Sequence, residues 1–168
     1  TDDYPEASAR HYAFMLQGLA DVAEGLASRG VTFVVRRGSP DEIAVELGRD
    51  AALVVCDAGY LRLQRQWRRN LAERLERRIV RVEGDVVVPL RAASQKHEYA
   101  ARTIRPRIQK VWDDFIAPLR TREVSVRRSL DITSDIDVTD PKAALAQLKV
   151  STTPGPVKRF VGGEREAR

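Results

Sequence analysis

The sequence predicts an α/β fold, a doubly wound parallel sheet with helices on its faces. Three observations carry this expectation. Helical stretches with one apolar stripe alternate with short runs rich in β-branched residues, the connections between them are short, and the runs are apolar throughout. Continuous apolar runs belong to strands covered on both faces, and regular alternation with helices favours right-handed parallel crossovers, giving a Rossmann-like arrangement.

The first helix is expected from Ser8 to Arg29, where Met15, Leu19, Val22 and Leu26 recur at helical spacing, with Gly30 as its C-cap. Val31-Thr32-Phe33-Val34-Val35 follows as a buried strand. At Ser39-Pro40-Asp41-Glu42 a helix start is well marked: serine caps, proline suits the first turn and glutamate completes a capping box. Leu53-Val54-Val55-Cys56 reads as the next strand, ending at Asp57, and Leu61–Arg78 as a long helix with Leu63, Trp67, Leu71 and Leu75 on one face.

Ile79-Val80-Arg81-Val82 supplies a third strand, and Asp85–Pro89 a short extended piece whose proline suits an edge or an ending. Residues Lys96–Leu119 are expected to be mostly helical, kinked or started at Pro106. Asp140–Leu145 has the marks of one short capped helix in an otherwise irregular stretch. The domain boundaries that result are 1–119 for the α/β domain and 120–168 for a linker. A chain that opens on a helix and holds three parallel strands is expected to lack its first strand, one preceding Thr1.

The 168 residues, 43% hydrophobic, suffice for one domain with a core plus a tail. No stretch approaches the roughly 20 apolar residues of a membrane helix, and Thr1–Pro5 lacks the features of a signal peptide, so a cytoplasmic protein without membrane contact is expected. The single cysteine, Cys56, lies in an apolar run and reads as a buried structural thiol, with no spacing for zinc. A net charge of +5 permits an acidic partner such as DNA.

Hydrolytic chemistry has little footing. The two histidines, His11 and His97, stand at helix starts and suit surface or capping roles, and no nucleophile elbow, phosphate loop or GxGxxG follows a strand. Ligands of open parallel sheets lie beyond the carboxyl ends of the strands, which points to the loops at Arg36–Pro40, Asp57–Leu61 and Glu83–Gln95. Asp57-Ala58-Gly59-Tyr60 offers a carboxylate, a glycine and a ring suited to the wall of a planar ligand; Asp57 equally suits a helix cap. The arginines at 62, 65, 68, 69, 74, 77 and 78 suit either phosphate contacts or a solvated face interlaced with Glu73 and Glu76. Trp67 and Trp112 sit at core-facing spacing.

Two stretches, Gly59–Arg68 (GYLRLQRQWR) and Ala92–Ile108 (AASQKHEYAARTIRPRI), resemble segments of class II cyclobutane pyrimidine dimer photolyases, and His11–Leu19 and Phe160–Glu164 are similar as well. The resemblance implies a DNA-repair lyase that splits cyclobutane dimers by light-driven electron transfer from reduced FAD, this region being its amino-terminal antenna or scaffold part. It implies further that FAD and damaged DNA are held by a helical domain carboxyl-terminal to this region, so this fragment alone would be inactive. For an 8-hydroxydeazaflavin-type antenna the candidates are Asp57, Gly59, Tyr60 and Lys96. No catalytic or metal-binding residue is carried over. Two other readings stand beside this one: a non-catalytic Rossmann-like nucleotide- or pigment-binding module, and a cryptochrome-like photoreceptor.

Overall fold

The computed structural model describes residues 4, 6–118, 120, 122–126, 130–157 and 159–167. It groups the chain into two compact units, one formed by 1–39 with 122–168 and the other by 40–121. Thr1–Asp3, Pro5 and Leu119, where the opening of the chain and the end of a helix were expected, lie outside the described residues.

In the first unit, α1 spans Ala9–Ser28. The Ser8 N–H donates to His11 Nδ1 at 3.1 Å, so His11 closes the start of the helix in the capping role expected of it. At the other end Gly30, with φ of 73°, donates to the Ala27 carbonyl and Val31 donates to that of Leu26. This is a Schellman ending, which needs a left-handed residue where the sequence places glycine. The short helix α6, Pro141–Ala146, is also as expected, with Asp140 Oδ1 accepting from the Lys142 and Ala143 amides at 3.0 Å.

The buried face of α1 differs from the expected stripe. Leu16, Ile136, Val138 and Ala144 form the core of this unit, with Leu19, Ala23, Phe33 and Val35 packed against them. Tyr12 and Leu16 are buried whereas Met15 and Val22 are exposed. The helix carries apolar residues around more than one face, and residues 136–148 select which is covered.

Residues 31–35 do not form the expected strand. The Asp135 amide donates to the Val35 carbonyl at 2.8 Å, but Val35 N–H goes to Ser134 Oγ, Leu130 N–H to Thr32 Oγ1 and Arg37 N–H to Asp135 Oδ2. With one backbone–backbone bond among four, the described residues form no ladder here: β-branched residues favour extension but cannot supply a partner strand. Near the end of the chain, Gly162 N–H donates to Gln17 Oε1 at 2.8 Å, and Arg165 engages both Asp21 and Glu24. Residues 160–165 are thereby laid along α1.

The second unit contains α2 (Pro40–Gly48), β1 (Val54–Asp57), α3 (Arg62–Arg74), β2 (Ile79–Val82), α4 (Leu90–Ala93) and α5 (Ala101–Phe115). The two strands pair in parallel, from Val54 opposite Ile79 to Asp57 opposite Val82, a small α/β sheet flanked by helices. Its core is Val45, Leu71 and Leu75 with Ala44, Val54 and Ile79 around them. Gly48 lets α2 close on this core, because a Cβ there would meet Leu75 Cδ2 at 2.9 Å and Val54 Cγ2 at 3.0 Å.

Several expectations are corrected here. The sheet has two strands among the described residues, not three, and β1 is covered on one face only: Val55 is 58% exposed while Val54 and Cys56 are half-buried. Cys56 is therefore not a fully buried thiol. Helix α3 ends at Arg74 rather than Arg78, with Leu75 extended so that its side chain enters the core, and Asp85–Pro89 pairs with no strand. Helix α5 continues through Pro106 and buries none of its described side chains, so Trp112 is exposed rather than core. Its apolar stripe was legible, but a stripe does not bring its own cover. Among the described residues no helix is long and apolar enough to cross a membrane.

Candidate functional site

The parallel register brings the ends of β1 and β2 level, and the loops that leave them are tied together. The Ala58 amide donates to the Val82 carbonyl at 2.7 Å. Gly59 has φ of 42°, and a Cβ there would meet the Gln64 side chain at 2.8 Å, so glycine is required on both counts. Gln64 Oε1 accepts the Leu61 amide at 3.1 Å and Arg68 Nη1 donates to the Gly59 carbonyl at 2.9 Å. The first turns of α3 thus hold the loop that precedes them.

From the other strand, Glu83 Oε2 accepts from the Tyr60 hydroxyl at 3.2 Å and from the Leu90 amide at 2.8 Å. Desolvation, then the negative charge of Glu83, raises the Tyr60 pKa above the ordinary phenol value. Gly84 passes close to Asp57, its position for a Cβ lying 2.9 Å from Asp57 Oδ1.

Between these loops and α2 lies a cleft of about 310 Å³, lined among others by Asp41, Asp57, Gly59, Trp67, Arg68 and Asp85. Asp41 is 5% exposed and accepts from Asn70 Nδ2 at 2.7 Å. Three carboxylates beside one indole, with the guanidinium of Arg68 committed to backbone carbonyls, make an acceptor-rich slot that repels phosphate. It suits a flat molecule presenting N–H or O–H groups. Among the described residues no group of three or more His, Cys, Asp or Glu side chains is arranged to hold a metal ion.

The structure brings together part of the expected set. Asp57 and Gly59 line the cleft, Tyr60 is held by Glu83 beside it, and Lys96 lies in a different hollow with Arg91, Ser94 and Arg107. Sequence reasoning did not single out Asp41, Gln64 or Arg68 for the site, and reached Glu83 and Asp85 only as members of the Glu83–Gln95 loop. Asp41 and Gln64 read locally as helix-start residues, and nothing in the chain marks Arg68 apart from its six neighbouring arginines.

Comparison with known proteins decides the family. The DNA photolyase family model matches residues 1–124. The chain belongs to the DNA photolyase family. It is similar to proteins named deoxyribodipyrimidine photo-lyase: 42% identical over 132 residues to that of Methanothermobacter thermautotrophicus, covering 79% of this chain and 29% of that protein. Identity is 35% over 114 residues with the protein from Potorous tridactylus, covering 66% and 21% respectively. With the Arabidopsis thaliana protein it is 34% over 121 residues, covering 68% and 24%. The chain thus spans less than a third of these photolyases. Their shared name does not favour the free-standing binding module or the photoreceptor.

In this member of the family the loop leading into α5 is pinned by a buried carboxylate. The Glu98 side chain is 7% exposed and pairs with Arg107 Nε at 2.8 Å, while Ser94 Oγ donates to it at 2.8 Å. Hydrogen bonds from Ser94, then from Thr103, hold its pKa below the ordinary glutamate value, against the opposing effect of burial. A depressed pKa contributes stability that is present above the unfolded value, about 4.3, and is lost as pH falls through the lower folded value. The protection factors of the 94–107 amides, taken against intrinsic exchange at the same pH, are therefore expected to fall below about pH 4, and Glu98→Gln is expected to flatten that acid dependence. Unchanged exchange in the Gln variant would remove Glu98 as the pin.

Proposed function

We propose that this chain is the amino-terminal antenna and scaffold part of a cytoplasmic class II photolyase that splits cyclobutane pyrimidine dimers in DNA by electron transfer from reduced FAD. The observation that carries the reading is the family match over 1–124 together with 42% identity to a deoxyribodipyrimidine photo-lyase. Residues 1–119 serve as the α/β part and 120–168 lead toward a helical FAD-binding domain.

The flavin dinucleotide does not fit the cleft described here. A pyrophosphate would meet Asp41, Asp57 and Asp85 without a glycine-rich amide cradle, so no step of the repair reaction is derived through FAD in this chain. An 8-hydroxydeazaflavin-type antenna fits better, since its ring is flat and its donors complement carboxylates. Asp57 and Gly59 would border it, Trp67 would supply an apolar wall, and Tyr60 with Glu83 would hold the rim. When bound, such a pigment supplies absorbed light energy; the protein's part is to orient it and exclude water. Lys96, in its separate hollow, would take no part in the same contact.

The test uses the natural gene product that carries this chain. With reduced FAD and a thymine-dimer oligonucleotide, light-dependent splitting of the dimer into two thymines is expected, and no repair at any wavelength would overturn the enzyme reading. Adding 8-hydroxydeazaflavin should shift the pigment's absorption and co-elute it with the protein. Asp57→Leu should weaken that binding by about tenfold, the value of one charge-assisted hydrogen bond. Equal binding by Asp57→Leu would move the antenna site elsewhere.

A further inference from the structure

The acids expected to interlace the arginines of the third helix, Glu73 and Glu76, both fall after Arg69 in the chain. Arg62, Arg65 and Arg69 are exposed and, at about 100° per residue, share an arc of about 60° on α3. Arg65 has Leu61, Arg62, Arg68 and Arg69 at its helical neighbour positions, three and four residues away on either side. Among the described residues neither Arg62 nor Arg65 pairs with an acid, and Arg69 reaches Gln66 Oε1 at 3.4 Å. Glu73 stands one turn after Arg69 on the same face without forming an ion pair to it, and Glu76 lies beyond the helix.

Like charges at these spacings disfavour a helix by a few tenths of a kcal/mol per pair, and from Arg62 to Arg69 the helix holds no acid to offset them. An external polyanion relieves the repulsion. The row from Arg62 to Arg69 is about 10 Å long, the axial span of about three successive phosphates on one strand of a duplex. No aromatic side chain lies in the row, which suits contact with the backbone rather than base stacking.

We propose that Arg62, Arg65 and Arg69 form a docking strip for the phosphate backbone of duplex DNA outside the lesion, a contact indifferent to sequence. The proposal rests on the photolyase reading and adds a second DNA-contacting surface in the α/β part. The row of three, its spacing and the lack of an ion pair to any of them among the described residues distinguish this face from a lone exposed arginine.

The experiment measures binding of the natural gene product to undamaged duplex between 50 and 200 mM salt, for wild type, Arg62→Gln/Arg65→Gln/Arg69→Gln and the corresponding triple lysine variant. Three phosphate contacts steepen the salt dependence so that wild-type affinity falls about 40-fold more over this range than that of the glutamine variant. The lysine variant is expected to follow wild type, since charge is retained, and all three should melt together because the positions are exposed. Parallel salt dependences for wild type and the glutamine variant would overturn the strip, as would a loss confined to binding of phosphatidylserine vesicles. Dimer repair by wild type is scored separately: repair with parallel slopes sinks the strip alone, whereas wild type that neither binds nor repairs DNA sinks the photolyase reading with it.

Discussion

Leu16→Ala is expected to destabilise the unit built on α1 by about 2–5 kcal/mol, the cost of removing a buried leucine together with the cavity left behind. Leu16 is 1% exposed and sits in one cluster with Ile136, Val138 and Ala144. Ala144 has no exposed surface and comes from a helix of six residues, too short to persist without that contact. The cluster joins segments more than 100 residues apart in sequence, so the cavity should loosen α6 before α1. Hydrogen exchange on the natural gene product should show the 141–146 amides losing protection first, together with a lower denaturation midpoint. A change below about 0.5 kcal/mol, the level of an ordinary surface substitution, would show that Leu16 is not central to this core.

Gly162→Ala is expected to detach residues 160–167 from α1. A Cβ at this position would run into the Phe14 carbonyl oxygen and lie 2.9 Å from the Phe14 carbonyl carbon and 3.3 Å from Gln17 Cβ. The obstacle is helix backbone, which cannot swing aside as a side-chain tip can, so the segment has to move. That movement breaks the Gly162 bond to Gln17 and separates Arg165 from Asp21 and Glu24. Overpacking of this kind costs about 1–3 kcal/mol. Limited proteolysis near 160 should quicken in Gly162→Ala, while Gly155→Ala, with nothing within 4 Å of its Cβ, should behave as wild type. Equal cleavage of the two variants would mean that the segment is not seated on α1. The same contact gives a physical role to the Phe160–Glu164 stretch, which the sequence marks by resemblance alone.

Local signals were legible where the chain supplies both halves of an interaction. Gly30 ends α1 in a left-handed residue, His11 closes its start, and Asp140 caps α6; donor and acceptor in each case lie within a few residues. The strands 54–57 and 79–82 were legible as well, since each joins β-branched residues to a flanking helix that packs on it. The candidate cleft was half visible. Asp57 and Gly59 follow a strand directly, but Asp41 and Asp85 reach the same space from elements 16 residues before and 28 residues after Asp57, which spacing along the chain does not reveal.

By itself, then, the sequence determined the α/β class, the caps and turns, the ends of the parallel strands where ligands gather and the photolyase resemblance, because these depend on short-range geometry and residue chemistry. The tertiary structure decided what depends on a distant partner. It chose Leu16 over Met15 as the buried face of α1, since Ile136 and Val138 cover that side. It left 31–35 without a ladder among the described residues and α5 with a stripe only half covered, since neither β propensity nor amphipathicity provides the surface that would complete it. It placed Lys96 apart from Asp57, because the direction in which a loop leaves its strand is fixed by what holds it: Glu83 at one end, and Glu98 with Arg107 at the other.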